Sequence, residues 1–141
     1  RIVLEYFYPR HECEQRLERL LGELNLGHLR NNIAGSLSGG ERRRLEITRS
    51  LVVKPKLLFF DEPFAGVDPK SRADITGIIH ALRNRGISVL ITDHHAEAIL
   101  SMVDRLYVME SGNILAMGTP NEIIENKAVR SAYLGEGFKL A

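Results

Sequence analysis

The sequence predicts an α/β fold with a parallel sheet, on three observations. Leu57-Leu58-Phe59-Phe60 and Ile87-Ser88-Val89-Leu90-Ile91-Thr92 are apolar runs of strand length. They lack the polar alternation of a strand solvated on one face, so both read as buried parallel strands. Between them, Ile75, Ile78, Ile79 and Leu82 recur at helical spacing on a segment from Pro69 to about Arg85. Strand, helix, strand in that order is a crossover unit, and ligand chemistry is expected beyond the carboxyl ends of its strands.

The first ten residues hold an apolar and aromatic stretch, Ile2 to Tyr8, that Pro9 ends. Periodicity there does not separate helix from strand. From about His11 to Leu24, the positions Cys13, Leu17, Leu20, Leu21 and Leu24 form one apolar stripe of an amphipathic helix, with Gly27 as its stop. A turn-rich link, Asn31 to Gly35, leads to Leu37-Ser38-Gly39-Gly40-Glu41 and a helix running to about Val53, with Leu45, Thr48, Leu51 and Val52 facing inward. Ser38 as N-cap and Glu41 three residues on make a capping box. Gly39 and Gly40 then fall in the first turn, where amides without side chains stand at the positive end of the helix dipole. Two readings share that pattern: a capped surface helix, or a helix start open to a phosphate oxygen.

Lys54-Pro55-Lys56 breaks the helix before the first strand, which ends in Asp61 and Glu62. Asp68 as N-cap and Pro69 at the first helical position start the crossover helix. After the second strand come Asp93-His94-His95 and a short helix, Ala96 to about Val103. Arg105 to Met109 and Asn113 to Met117 are predicted strands joined as a hairpin at Ser111-Gly112. A second capping box, Thr119-Pro120-Asn121-Glu122, starts a helix to about Asn126.

At 141 residues, 44% hydrophobic and 26% charged, the chain is large enough for a real core, and its net charge of +1 makes no case for nucleic-acid binding. The run Arg42-Arg43-Arg44 reads as the solvated face of a helix. A single cysteine excludes an internal disulfide framework. No apolar run approaches the ~20 residues that span a bilayer, so a membrane role is expected to come through a partner.

Paired carboxylates at a strand end offer one group to a Mg²⁺ shell and one to polarise a water. His94, at the neighbouring strand's end, has the chemistry to donate to a terminal phosphate oxygen or to hold the attacking water. Leu37 to Glu41, the strand ending Asp61-Glu62-Pro63, the loop Ala65-Gly66-Val67-Asp68 and His94 occur in that order. Together they resemble the signature motif, Walker B strand, D-loop and switch histidine of the ATP-binding-cassette (ABC) ATPases. Glu41 replaces the family's more frequent glutamine, and His95 stands where a polar amide is more usual.

The resemblance implies ATP and Mg²⁺ as cofactors, with Asp61 reaching Mg²⁺ through water, Glu62 as catalytic base and His94 on the γ-phosphate. It implies that Ser38, Gly39, Gly40 and Glu41 contact the γ-phosphate held by a second, identical subunit, and that Asp68 couples the two sites of that homodimer. Integral-membrane permease subunits are the implied further partners, at the cytoplasmic face of the inner membrane. The implied core is an incomplete P-loop NTPase-type sheet. Residues 1–53 would supply part of the helical signature subdomain, and residues 54–141 the C-terminal part of the ATPase core with a β-hairpin and helices. Gly40 to Arg44, Asp61 to Pro69, Leu90 to His94, Gly118-Thr119-Pro120 and Tyr133 to Glu136 are similar to the ATPases of lipopolysaccharide exporters, with branched-chain amino-acid importer ATPases the nearest rivals. No glycine is followed by lysine, so the sequence holds no Gly-x-x-x-x-Gly-Lys-Ser/Thr loop. The expectation is a portion of a longer cassette, inactive alone, with a non-catalytic interaction module as the alternative.

Overall fold

The computed structural model describes residues 1–135 and 138, arranged in two compact units, 1–92 and 93–141. The first unit therefore holds both the helical piece and the β-α-β crossover. Its elements are α1 (Ile2–Phe7), α2 (Arg10–Glu23), α3 (Gly39–Leu51), β1 (Leu57–Asp61), α4 (Pro69–Asn84) and β2 (Ser88–Thr92).

The stretch that periodicity left open is helical. Leu4 of α1 is buried with Cys13 of α2 and Val52 just past α3, and Tyr8 donates its hydroxyl to the Val52 carbonyl at 2.9 Å. Helix α2 ends earlier than the expected stop at Gly27. Asn25 takes a left-handed φ of 54°, the Leu26 amide returns to the Leu21 carbonyl at 2.7 Å, and the Asn25 amide returns to Gly22 at 3.1 Å. These are the two bonds of a Schellman motif, and its hydrophobic contact is supplied by buried Leu21 and Leu26. Asparagine tolerates the left-handed region well enough to stand where glycine was expected.

Strands β1 and β2 pair in parallel, with Phe59 opposite Leu90 and Asp61 opposite Thr92. The expectation that both are buried on two faces does not hold. Leu58 and Phe60 are buried, but Leu57 is 46% exposed, Phe59 69% and Leu90 49%, all on the other face. Among the described residues the sheet has two strands, and α4 packs on it through the face opposite Phe59. Strand composition tuned for two-sided burial thus meets one-sided cover. Helix α4 buries Ile75, Ile79 and Leu82 of its predicted apolar face and leaves Ile78 half-buried. In α3 the buried residues are Gly40, Ile47, Thr48 and Leu51, with Leu45 only half-buried, so the inward face is rotated toward Ile47.

The second unit contains α5 (Ala96–Leu100), β3 (Leu106–Glu110), β4 (Asn113–Gly118), α6 (Pro120–Glu125), α7 (Lys127–Val129) and a π-helical turn, Arg130–Leu134. The hairpin forms where expected. Ser111 and Gly112 both have positive φ, 48° and 78°, as a type I′ turn requires. Leu100, Ile123 and Val129 make its core, and Tyr133 donates its hydroxyl to the Met109 carbonyl at 2.6 Å. Of the predicted tail motif, Glu136 lies outside the described residues. No helix among the described residues is long and apolar enough to cross a membrane.

Candidate functional site

Helix α3 opens with the predicted capping box. The Glu41 amide donates to Ser38 Oγ at 3.3 Å, while the Ser38 amide and hydroxyl each donate to Glu41 Oε2 at 2.8 Å. The Ser38 backbone N–H, and then its hydroxyl, hold the Glu41 carboxyl below its usual range. Gly39 is exposed beside this cap, and Gly40 is buried.

The two glycines have separate reasons. A Cβ on Gly40 would stand 2.4 Å from Ser71 Oγ and 2.7 Å from Ser71 Cβ, so the helix start approaches α4 at a distance only glycine permits. A Cβ on Gly39 would meet the Gly66 carbonyl oxygen at 3.3 Å. Both glycines therefore touch the segment that follows β1, a contact the pentapeptide could not disclose.

That segment is held from its own side. Gly66 turns the chain at φ 68°, and Asp68 caps α4 by accepting the Ser71 amide at 3.0 Å and the Ser71 hydroxyl at 2.6 Å. Those bonds, the hydroxyl's first, keep the Asp68 carboxyl below its ordinary range. Ser71 is thus the shared neighbour of Gly40 and Asp68. Gly39, Arg42, Arg43, Glu46, Gly66 and Val67 line a shallow hollow of about 240 Å³ between α3 and this turn.

At the end of β1, Asp61 accepts a hydrogen bond from the hydroxyl of Thr92, its partner across the sheet. Glu62 follows with φ 44°, left-handed for a residue with a side chain, and its amide donates to the Thr92 carbonyl at 2.8 Å. Backbone in that region is costly and persists only where surroundings hold it. One such hold is Arg43, which donates to the Glu62 carbonyl at 3.1 Å and pairs with Glu46 at 2.9 Å. Arg44 reaches across to Asp74 of α4 at 3.1 Å. The arginine run is therefore not simply a solvated face, since two of its members tie α3 to the strand end and to α4. Nothing in residue spacing distinguished them from Arg42. Thr92 and Ser71 were likewise missed, and register alone would have found Thr92.

The structure brings Ser38, Gly39, Gly40, Glu41 and Asp68 to one place and links it through Arg43 to Glu62. His94 belongs to the second unit, in the turn that enters α5. There its Nδ1 lies 3.9 Å from Asp93 Oδ1, and its ring lies 4.2 Å, centroid to centroid, from that of His95. In the first unit, Asp61 and Glu62 are two successive exposed residues whose carboxylates are hard-oxygen donors of the kind Mg²⁺ takes. The exposed glycine start of α3 offers amides to an anion.

Known proteins match most of this chain. The family model for the ABC transporter matches residues 3–65, and that for the branched-chain amino acid ATP-binding cassette transporter matches residues 113–139. The lipopolysaccharide export system ATP-binding protein LptB of Haemophilus influenzae is 49% identical over 126 residues, 89% of this chain and 52% of that protein. Its Escherichia coli K12 counterpart is 49% identical over 127 residues, 90% of this chain and 53% of the relative. Among solved structures, the ADP conformation of MJ1267, an ATP-binding cassette of an ABC transporter, superposes with a TM-score of 0.80 at 35% identity. It covers 92% of this chain and 52% of that one. The chain spans about half the length of the curated relatives it matches. With sequence and fold in agreement, the chain belongs to the ABC transporter ATPase family.

Proposed function

We propose that this chain is part of the ATP-hydrolysing subunit of an ABC transporter and supplies the portion of the nucleotide site that acts across a subunit interface. The observation that carries the reading is the joint packing of the capped glycine start of α3 with the Asp68 turn, Gly40 against Ser71 and Ser71 on Asp68, tied by Arg43 to the carbonyl of Glu62. In this reading Ser38, Gly39, Gly40 and Glu41 bind the γ-phosphate of ATP held by a second copy of the subunit. Mg²⁺ supplies charge neutralisation at the phosphates. Asp61 would hold it, with its carboxylate oriented by Thr92. Glu62 is the general base that takes a proton from the attacking water, aimed by its left-handed backbone. His94 donates to the γ-phosphate, and Asp68 couples the paired sites. Permease subunits are the further partners, which places the protein on the cytoplasmic side of the membrane.

Lipopolysaccharide export is the transport role we favour, because the likeness to LptB runs over about nine-tenths of the chain. The match of residues 113–139 to the branched-chain amino acid cassette supports importer activity as the second reading.

The 141 residues contain no Gly-Lys pair to cradle the β- and γ-phosphates. The chain alone should therefore neither bind a fluorescent ATP analogue nor release phosphate. Joined to the remaining length of the Haemophilus relative, it should hydrolyse ATP, and Glu62→Gln should lower that turnover by roughly 10²–10⁴-fold. Turnover by the 141 residues alone, or a joined protein insensitive to Glu62→Gln, would overturn the reading.

A further inference from the structure

The proposed nucleotide role uses His94 and assigns no ligand to the neighbouring Asp93 and His95. We propose that Asp93, His94 and His95 together form a binding site for a divalent transition-metal ion of the Zn²⁺ class. One ligand atom from each lies within 4.8 Å of the others. His95 Nδ1 is 2.6 Å from Asp93 Oδ1, and His94 Nδ1 is 3.9 Å from the same oxygen. A tetrahedral ion with bonds of about 2.0–2.2 Å spaces its ligands by about 3.3–3.5 Å, between those two separations. Small rotations of two side chains therefore bring all three onto one ion.

The surroundings favour a cation. The Asp93 side chain has 0% exposure, while those of His95 and His94 are 32% and 64% exposed, so the carboxylate forms the closed wall and the imidazoles the open one. The position of that carboxylate is already held, because Asp93 Oδ1 accepts the His95 amide at 2.9 Å at the entry to α5. The two rings, 35° from parallel, stand side by side. Two imidazoles and one carboxylate suit Zn²⁺, Ni²⁺ or Cu²⁺, whereas Mg²⁺ and Ca²⁺ prefer oxygen alone. Three protein ligands leave a fourth tetrahedral position for water. The site shares His94 with the proposed nucleotide role, and titration in the absence of nucleotide reads the metal site alone.

Isothermal titration of the 141-residue chain with Zn²⁺ tests it, with Co²⁺ as a visible-absorption probe. About one ion per chain is expected, and Asp93→Asn and His95→Asn should each weaken binding at least tenfold. His11→Asn, at a histidine outside the cluster, should leave it unchanged. If Asp93→Asn loses its helical circular dichroism, His95→Asn decides alone. Absence of saturable binding up to on the order of 1 mM Zn²⁺, or equal affinity in the parent chain and His95→Asn, would overturn the site.

Discussion

Gly40 shows how one position acquires its meaning from a distant one. Next to Gly39 it looks like part of an anion-binding helix start, but it is buried, and the missing Cβ is what lets Ser71 approach. Gly40→Ala should destabilise the chain by about 1–3 kcal/mol through overpacking. Adding Ser71→Gly should restore part of that loss, a coupling that urea denaturation of the four-member mutant cycle measures. The same comparison with Gly39→Ala should show a smaller effect, since its nearest neighbour is a carbonyl oxygen at 3.3 Å. Glu62 and Arg43 illustrate the complementary case. The acid was legible as chemistry from its place at a strand end, but its left-handed backbone and its arginine tie were not. Both depend on where α3 comes to lie against β1, a distance of 19 residues along the chain.

Helix starts were legible almost without loss because caps are local. Ser38 with Glu41, Asp68 with Pro69, and Thr119 with Pro120 and Glu122 all form as their spacing demands. Ser38→Ala should cost about 1 kcal/mol at neutral pH. The caps also set an acid response. Glu41 and Glu122 are lowered chiefly by the backbone amides of Ser38 and Thr119, and Asp68 chiefly by the Ser71 hydroxyl. A carboxyl lowered in the folded state stabilises it above the unfolded value and loses that contribution as pH falls through the folded one. The thermal midpoint should therefore drop as pH is lowered from about 7 to about 3. The drop should be shallower in Ser38→Ala combined with Thr119→Ala, which scanning calorimetry across that range reads directly. Helix ends were less legible, since Asn25 took the left-handed place assigned to glycine two residues on.

The exposed face of Leu57, Phe59 and Leu90 belongs to the molecule as a whole. These residues have the composition of a strand covered on both sides, and in the proposed reading further strands and helices of the longer subunit cover them. Phe59→Ser should reduce binding of a hydrophobic dye, while the urea midpoint moves little because the ring is 69% exposed. A large fall in stability would show instead that the ring is packed. What the sequence determined by itself were the α/β class, the capped helix starts, the hairpin turn and the order of Ser38, Asp61, Glu62, Asp68 and His94. Each rests on interactions within a few residues or on apolar period. Tertiary structure decided the rest: which strand face is covered, why Gly40 must be glycine, and which arginine of three reaches Glu62. Those depend on contacts between segments far apart in the chain, whose geometry no local pattern encodes.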